Sequence, residues 1–490
     1  MISSIELCSV PADYGHGAND GAYYPVGLLT LGSYMRRAFP SLLISIVDLH
    51  HDPDFLPHAD LVGISASSTL NYRNVLALAQ RAKESGAKVL LGGPHATQLP
   101  EQVLRNREGL IDFLIRGNGE FPLAALLTAI NNGSDLAAVP SLSWRNAGGE
   151  IIHNSHVSSV WRYDNFLPLE MSLLSCGLQP YWDKFRSRID PSIDAAFVVF
   201  THFGCGYREK MQGHAATARR PMSWCSYCSL NDPLSTRTGS RIVSEVLELL
   251  RAGEVSPGSR VLLKCYGDNV GTQHKMLGSL AEEIERCKEW RDYQIAWTFY
   301  AQSSRISPEL SKLLSRVGTE NLFIGFDSAD DDVQRLNGLG TSVGSHRRAV
   351  QLCKENHIKI QAGFVLGCAG ETQTSLDRTL AFAEELSQQK ALERINTAML
   401  VIIPGSPAYS LLCEREPWVK TLDDLPTEEL QWYWVKHFCP RLGKNPSDGL
   451  AILIRAANEL NALLEHAAHA SMGFISDRLA AHSDLAGGAG

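Results

Sequence analysis

Residues 195–228 read AAFVVFTHFGCGYREKMQGHAATARRPMSWCSYC, and this stretch decides how the rest of the chain is arranged. It opens with an apolar run, 195–201, whose β-branched and aromatic residues are those of a buried strand. Cys205, Cys225 and Cys228 follow, the last two as a Cys-Ser-Tyr-Cys pair ahead of a helical segment. Closely spaced thiols at a strand end point to a metal or cluster where structural disulfides are not expected. The count of three matters. A closed structural zinc site takes four ligands, whereas a cluster held by three cysteines leaves one iron open to a small molecule. His202 and His214 lie near enough in sequence to complete a Cys3His zinc set, and a redox-active Cys-x-x-Cys or three unrelated core thiols are further readings. Ligand softness does not separate them.

Beyond this stretch, apolar runs recur at 260–266, 294–300, 322–326, 358–366 and 395–402, with helical patterns near 240–252, 272–288, 307–316, 341–355 and 374–388. Six βα units in a row predict a barrel or partial barrel, with its chemistry at the carboxyl ends of the strands. The cysteines follow the first strand, at that end. Upstream, 43–47, 61–64, 88–91 and 113–115 read as strands, with helices around 26–37, 72–85 and 121–131. That alternation predicts a doubly wound parallel sheet. Three of its loops, Ser65-Ala-Ser-Ser68, Gly92-Gly-Pro-His95 and Gly117-Asn-Gly-Glu120, leave strand ends where such sheets bind ligands. Glycine after a strand is ordinary turn chemistry, but three such loops on one edge make a crevice.

The expected organisation is an α/β chain in four parts. Residues 1–135 form a Rossmann-like domain, 136–194 a connector with a small hairpin, 195–412 the partial barrel, and 413–490 a helical region with Trp418, Trp432 and Trp434 that ends in a disordered tail. The composition, 44% hydrophobic and 20% charged over 490 residues, is that of a globular protein. A net charge of -8 gives no electrostatic reason to bind nucleic acid or anionic membrane. No apolar run approaches the roughly 20 residues of a membrane span. The N-terminal stretch reads as a first strand rather than a targeting peptide, and the eleven cysteines suit a reducing cytoplasm.

The cysteine set, Tyr266-Gly-Asp-Asn269, Gly325-Phe-Asp-Ser328, Gly367-Cys-Ala-Gly-Glu-Thr372 and Pro404-Gly-Ser-Pro407 fall in order along the barrel strands. Together they resemble the radical S-adenosylmethionine (SAM) superfamily. With the N-terminal segments LVGIS (61–65), LGGPHA (91–96) and DFLIRGNGE (112–120), residues 1–412 resemble the branch that carries a cobalamin-binding domain. The resemblance implies that Cys205, Cys225 and Cys228 bind a 4Fe-4S cluster whose fourth iron chelates SAM. It places Tyr227 near the adenine, Asp268 and Asn269 at the SAM amino group, and Asp327 and Ser328 at ribose or carboxylate contacts. It places cobalamin against Ser65, Ser67, Gly92, Gly93, His95, Gly117 and Glu120. Loop capping is the plain alternative for the barrel residues. An external electron donor of flavodoxin or ferredoxin type is also implied, as is a radical that abstracts hydrogen from an unactivated carbon.

The match departs from the family in several places. Nineteen residues separate Cys205 from Cys225, an insert that either loops out or shapes a substrate entrance. Asp327 stands where a glutamate is common and Gln302 where an arginine is common. The Asp-x-His-x-x-Gly motif for a lower cobalt ligand is absent, since Asp48-Leu-His50 is followed by Pro53, so His50 and His51 read as loop histidines. His202, Tyr207 and Tyr300 are candidate bases by proximity only. The expected activity is methyl transfer to an sp3 carbon, or a phosphorus centre, of a small metabolite, natural-product precursor or peptide. A radical rearrangement, cyclisation or oxidation without methyl transfer is the alternative enzyme, and a non-catalytic cobalamin- or SAM-binding protein the alternative class.

Overall fold

Apolar segments in the first 115 residues pair as five parallel strands: β1 (Ser4–Ser9), β2 (Leu43–Asp48), β3 (Leu61–Ser65), β4 (Lys88–Gly92) and β5 (Phe113–Ile115). The computed structural model describes residues 1–12, 21–156, 168–207, 222, 224–230 and 234–463. Leu61, Val62, Val89 and Leu91 are fully buried because helices cover both faces of this sheet. Its order, β2-β1-β3-β4-β5, reverses between β1 and β3. Helices Val26–Ala38 and Tyr72–Glu84, which follow those two strands, therefore lie on opposite faces and leave a crevice at the switch point. Asn71 ties the crevice together: its side-chain amide donates to the Ser65 carbonyl at 3.2 Å and the Ser67 hydroxyl at 2.9 Å.

The hairpin expected in the connector is β6 (Leu142–Arg145) and β7 (Ile151–His153). It joins the N-terminal sheet, where β6 pairs antiparallel with β5. An unpaired β5 edge would leave a row of backbone groups without partners, and the hairpin covers it.

The second sheet comprises β8 (Ala195–Val199), β11 (Arg260–Cys265), β12 (Gln294–Gln302), β13 (Thr319–Asp327), β14 (Lys359–Leu366) and β15 (Arg394–Met399). All six are parallel and lie side by side in chain order, with a helix between each pair, so the sheet curves into a half-barrel. β13 begins before the apolar run at 322 because polar lumen-facing residues such as Asn321 hide its start in the sequence. Two helices begin in capping boxes, Ser342 with Ser345 and Thr372 with Ser375, each cap contributing about 1 kcal/mol. Between β8 and β11 lies a short antiparallel pair, β9 (His202–Phe203) with β10 (Ser235–Thr236), which closes the base of the cysteine loop.

Helices Pro407–Arg415, Thr427–Phe438 and Pro446–Ala462 complete the described chain. Trp434 is buried and its indole N–H donates to the Gly367 carbonyl at 2.8 Å, which locks this region onto the loop after β14. Asp423 reaches the N-terminal lobe, accepting from Tyr72 Oη at 2.9 Å and Arg107 Nε at 2.6 Å. Among the described residues no helix is long and apolar enough to cross a membrane. The tail expected to be disordered lies outside the described residues.

Helix–helix contact behind the half-barrel leaves no room at Gly239, where a Cβ would stand 2.4 Å from the backbone of Ser279. Gly239→Ala must push helices Gly239–Ala252 and His274–Arg286 apart, at about 1–3 kcal/mol. The expected result is a lowered thermal midpoint of the apo protein, and an unchanged midpoint would contradict this packing.

Candidate active site

The cysteine loop is held from three sides. Ser226 donates its backbone N–H to the Asn337 carbonyl at 3.0 Å, and its own carbonyl accepts from Ala408 N–H at 2.9 Å. Gly338, with φ +62°, lies under the Trp224 backbone, where a Cβ would stand 2.6 Å from the carbonyl oxygen. Gly340, with φ +68°, lies under the ring of Tyr207, whose hydroxyl donates to the Gly338 carbonyl at 2.8 Å. Both described ends of the long insert, Gly206–Tyr207 and Trp224, are thus seated on or beside one support, residues 337–340. The middle of the insert, 208–221 and 223, lies outside the described residues, and so does His214.

This support brings Cys205, Cys225 and Cys228 to one end of the half-barrel, each half-buried. Burial and the neighbouring Cys228, Asp327 and Cys205 all push the Cys225 thiol well above its usual range. Acidic groups gathered this closely are stable as anions only beside a compensating cation, which is the requirement an iron cluster meets. Among the described residues a zinc site is not supported: no three His, Cys, Asp or Glu side chains gather around a single-ion position. His202 is also occupied: its Nε2 accepts from Asn269 N–H at 3.2 Å, which leaves the proton on Nδ1 facing Thr201 Oγ1 at 2.9 Å. Burial holds this ring neutral, with its pKa lowered to about 4.

Asn269 is buried and its side-chain oxygen is fully used. Oδ1 accepts from Gly271 N–H at 3.0 Å and Gln302 N–H at 3.3 Å, and Nδ2 lies 3.8 Å from Cys205 Sγ. It is both a loop cap and a support for the first cysteine. Asp268, next to it, is exposed. Asp327 occupies a left-handed conformation, φ +59°, at a register shift between β13 and β14 that turns its carboxylate toward the cysteines. Tyr227 hydrogen-bonds to it, while burial raises the Asp327 pKa to about 6. Ser328 points elsewhere. Its hydroxyl accepts from Asp330 N–H at 3.2 Å and lies 3.5 Å from Thr379 Oγ1, so it works as a cap behind the sheet. Gln302 donates to the Leu339 carbonyl and leaves a buried Oε1 without a partner.

Glu371 closes the loop after β14 by accepting from Gly367 N–H at 2.5 Å. Burial raises its pKa to about 8. Tyr300 lies lower in the barrel, on the wall of a separate cavity, and Tyr207 is committed to the loop at 338.

In the N-terminal crevice, Gly92 faces open space, whereas Gly93 packs against Ala66, where a Cβ would be 2.7 Å from the carbonyl oxygen. Gly117 takes φ +76° and donates its N–H to Thr97 Oγ1 at 3.0 Å. Glu120 opens helix Glu120–Asn132 with its Oε2 buried and unpartnered, and burial raises its pKa. The open space at Gly92 fits a bulky ligand. Ser65 lies at the end of β3 and Ser67 is exposed beside it.

His95 is not free for a ligand. Its Nε2 faces the Asp423 carbonyl at 2.9 Å and its Nδ1 faces Thr69 Oγ1 at 3.1 Å, so both nitrogens are used within the protein, and burial holds its pKa near 4. His50 bonds Asp48 at 2.6 Å and His51 the Gly21 carbonyl at 2.7 Å, as befits loop histidines. Sequence reasoning missed Asn71 and the Asn337–Gly340 support; the Asn-Gly at 337–338 is a turn signal that marks the second.

Comparison with known proteins agrees with this geometry. The B12 binding domain family matches residues 20–127, and the Radical SAM superfamily matches residues 220–383. The second match starts after Cys205, so that residue's place rests on the structure. The chain therefore belongs to the cobalamin-binding radical SAM proteins.

TsrM from Kitasatospora setae, a radical SAM methyltransferase solved with cobalamin and a 4Fe-4S cluster, shares the fold at a TM-score of 0.66 and 16% identity, over 96% of this chain and 90% of that one. OxsB, a cobalamin-dependent SAM radical enzyme solved with aqua-cobalamin, superposes at 0.63 and 15% identity, over 98% and 76%. An uncharacterized methyltransferase of Pyrococcus horikoshii is 24% identical, over 74% of this chain and 73% of its own. A bacteriochlorophyllide d C-12(1)-methyltransferase of Chlorobaculum tepidum is 22% identical, and an anaerobic magnesium-protoporphyrin IX monomethyl ester cyclase of Rubrivivax gelatinosus 25%. Each of these two matches spans 73% of this chain, but only 66% and 59% of the relative.

Because burial raises the Asp327 carboxyl from 3.8 to about 6, folding of the apo protein opposes its ionisation. The penalty is absent below pH about 4, where the group is protonated in both states, and grows until pH about 6. Asp327→Asn, which keeps an acceptor for Tyr227, is expected to be more stable than the parent by about 2–3 kcal/mol at pH 7. In apo-protein denaturation curves that gap should vanish near pH 4, and a gap independent of pH would refute the assignment.

Proposed function

We propose that this protein is a cobalamin-dependent radical SAM methyltransferase acting on an unactivated carbon of a small metabolite, natural-product precursor or peptide. The carrying observation is the convergence of Cys205, Cys225 and Cys228 beside Asp327 in a chain that also has the open Gly92 crevice. When bound, the cluster with SAM supplies a hydrogen-abstracting radical and cobalamin supplies the transferable methyl group.

The residues hold and shield these groups. Cys205, Cys225 and Cys228 hold the cluster, with Asn269 positioning the first and Asn337 the loop of the other two. Tyr227 presents its ring beside the cluster while its hydroxyl is fixed by Asp327. Asp268, exposed beside Asn269, stands where it can accept from the SAM amino group. Ser65, Ser67, Gly92, Gly117 and Glu120 form the cobalamin crevice, with Gly93 and His95 keeping its wall in place. Half-burial of the thiols limits water at the reacting centre. Single-electron chemistry also requires a reductant, here a flavodoxin- or ferredoxin-type partner.

A second reading, radical cyclisation without methyl transfer, is favoured only by the similarity to the cyclase. Product analysis separates the two: methyl transfer yields both 5'-deoxyadenosine and S-adenosylhomocysteine, whereas cyclisation yields no S-adenosylhomocysteine.

Cys225→Ala and Cys228→Ala are each expected to lose bound iron and all SAM cleavage with the apo fold intact by circular dichroism. Retained cleavage in either would sink the cluster assignment. Gly92→Val fills the open space and is expected to lose corrin absorbance after desalting while retaining iron; a variant that keeps its corrin would move the cobalamin elsewhere.

A further inference from the structure

The half-barrel encloses a cavity of about 400 Å3 near the amino ends of its strands, away from the cysteines. Its walls draw on two rungs of the sheet. Lys264 stands opposite Thr298, Thr298 opposite Asn321, and Asn321 opposite Lys359. In the next rung Tyr300 stands opposite Phe323, Phe323 opposite Gln361, and Gln361 opposite Arg394. Tyr23 and Phe185, from outside the barrel, complete the lining.

Charge is distributed unevenly in this cavity. At the rim carboxylates outnumber cations: Arg260 grips both carboxylate oxygens of Glu320 at 2.9 and 2.8 Å and lies 3.6 Å from Asp190, and Lys359 lies 3.2 Å from Glu320 and 3.9 Å from Glu393. Further in, the cations have no ion-pair partner among the described residues: Lys264 meets only the ring face of Tyr23, at 4.3 Å, and Arg394 makes no ion pair. The Oδ1 of Asn321, on the same wall, is buried without a partner. Two cations without ion-pair partners, in a cavity whose lining sets four cations against the carboxylates of Asp190, Glu320 and Glu393, draw in a singly charged anion.

The kind of anion follows from the fold. Helix carboxyl ends, not amino ends, face this end of a βα barrel, so their dipoles oppose a doubly charged phosphoryl group. A carboxylate, singly charged and matched to the planar fork of arginine, suits the site better.

We propose that Lys264 and Arg394 anchor the carboxylate of the substrate in the lower lumen, a step that rests on the methyltransferase reading in taking this ligand as the substrate. Asp327 lies four residues along β13 from Phe323, about 13 Å at the rise of a strand. The substrate is therefore an extended carboxylic acid, its acid end at Lys264 and Arg394 and its reacting carbon toward the cysteine end. Between the two ends the Phe323 ring packs over Gly363, where a Cβ would meet it at 2.5 Å, so this ring bounds the chain of the acid.

The test is isothermal titration of the cofactor-reconstituted full chain with adipate, its neutral diamide adipamide, and inorganic phosphate. Saturable binding of adipate but not adipamide is expected, weakened roughly tenfold in Lys264→Met and in Arg394→Gln and retained in Lys264→Arg, which rules out a folding defect. Equal binding of adipate and adipamide, no binding of adipate, or variants that bind like the parent would overturn the proposal. Tighter binding of phosphate, lost in the same variants, would overturn the carboxylate assignment. Iron content, corrin retention and SAM cleavage are read on the same preparations. If these survive while adipate binding fails, only the anion site falls; if they fail while adipate still binds, the methyltransferase reading falls instead.

Discussion

The carboxyl end of the half-barrel depends on the short turn Asn337–Gly340. One of its carbonyls receives the Ser226 N–H, another receives the Tyr207 hydroxyl, and two of its glycines admit Trp224 and Tyr207 at distances no side chain would allow. Asn337 is itself fixed, donating to the Val333 and Ala369 carbonyls at 2.8 and 2.9 Å and accepting from Ala369 N–H at 3.0 Å. Because the chain on both sides of the insert is gathered here, the nineteen residues between Cys205 and Cys225 do not disperse the thiols. Loop closure costs little more for a long excursion than for a short one once its ends are held.

Electrostatics adds a second constraint to the same place. Three thiols, the Asp327 carboxyl and the Tyr227 hydroxyl converge, and burial disfavours the ionised form of Cys225, Tyr227 and Asp327. Such an arrangement has low stability as bare anions and becomes favourable around a cationic group. The left-handed backbone at Asp327 belongs to this account. Non-glycine residues rarely adopt it, and here the register shift in β13 holds the carboxylate toward the thiols.

Much of the architecture was legible in advance. Apolar runs separated by amphipathic helices exposed both parallel sheets, since strands buried on two faces must be apolar throughout. The Cys-Ser-Tyr-Cys pair and the glycine loops were legible because spacing and conformational freedom are local properties. Roles were harder to read. His95 and Ser328 sit in loops of the right kind, yet Asp423, more than 300 residues away, occupies the first and the helix behind the sheet engages the second. The start of β13 was hidden because lumen-facing polar residues break the apolar run.

What the sequence determined by itself was the order of strands and helices, the presence of three thiols at a strand end, and the glycine-rich loops of the N-terminal sheet, because these follow from periodicity and from residues adjacent in the chain. Only the tertiary structure decided which histidines are consumed by neighbours, how Cys205 comes level with Cys225, and which cations of the barrel lumen lack an ion-pair partner among the described residues. Those outcomes depend on contacts between residues tens to hundreds of positions apart. No local pattern records whether a buried polar group has found its partner, and that pairing separates a binding residue from a structural one.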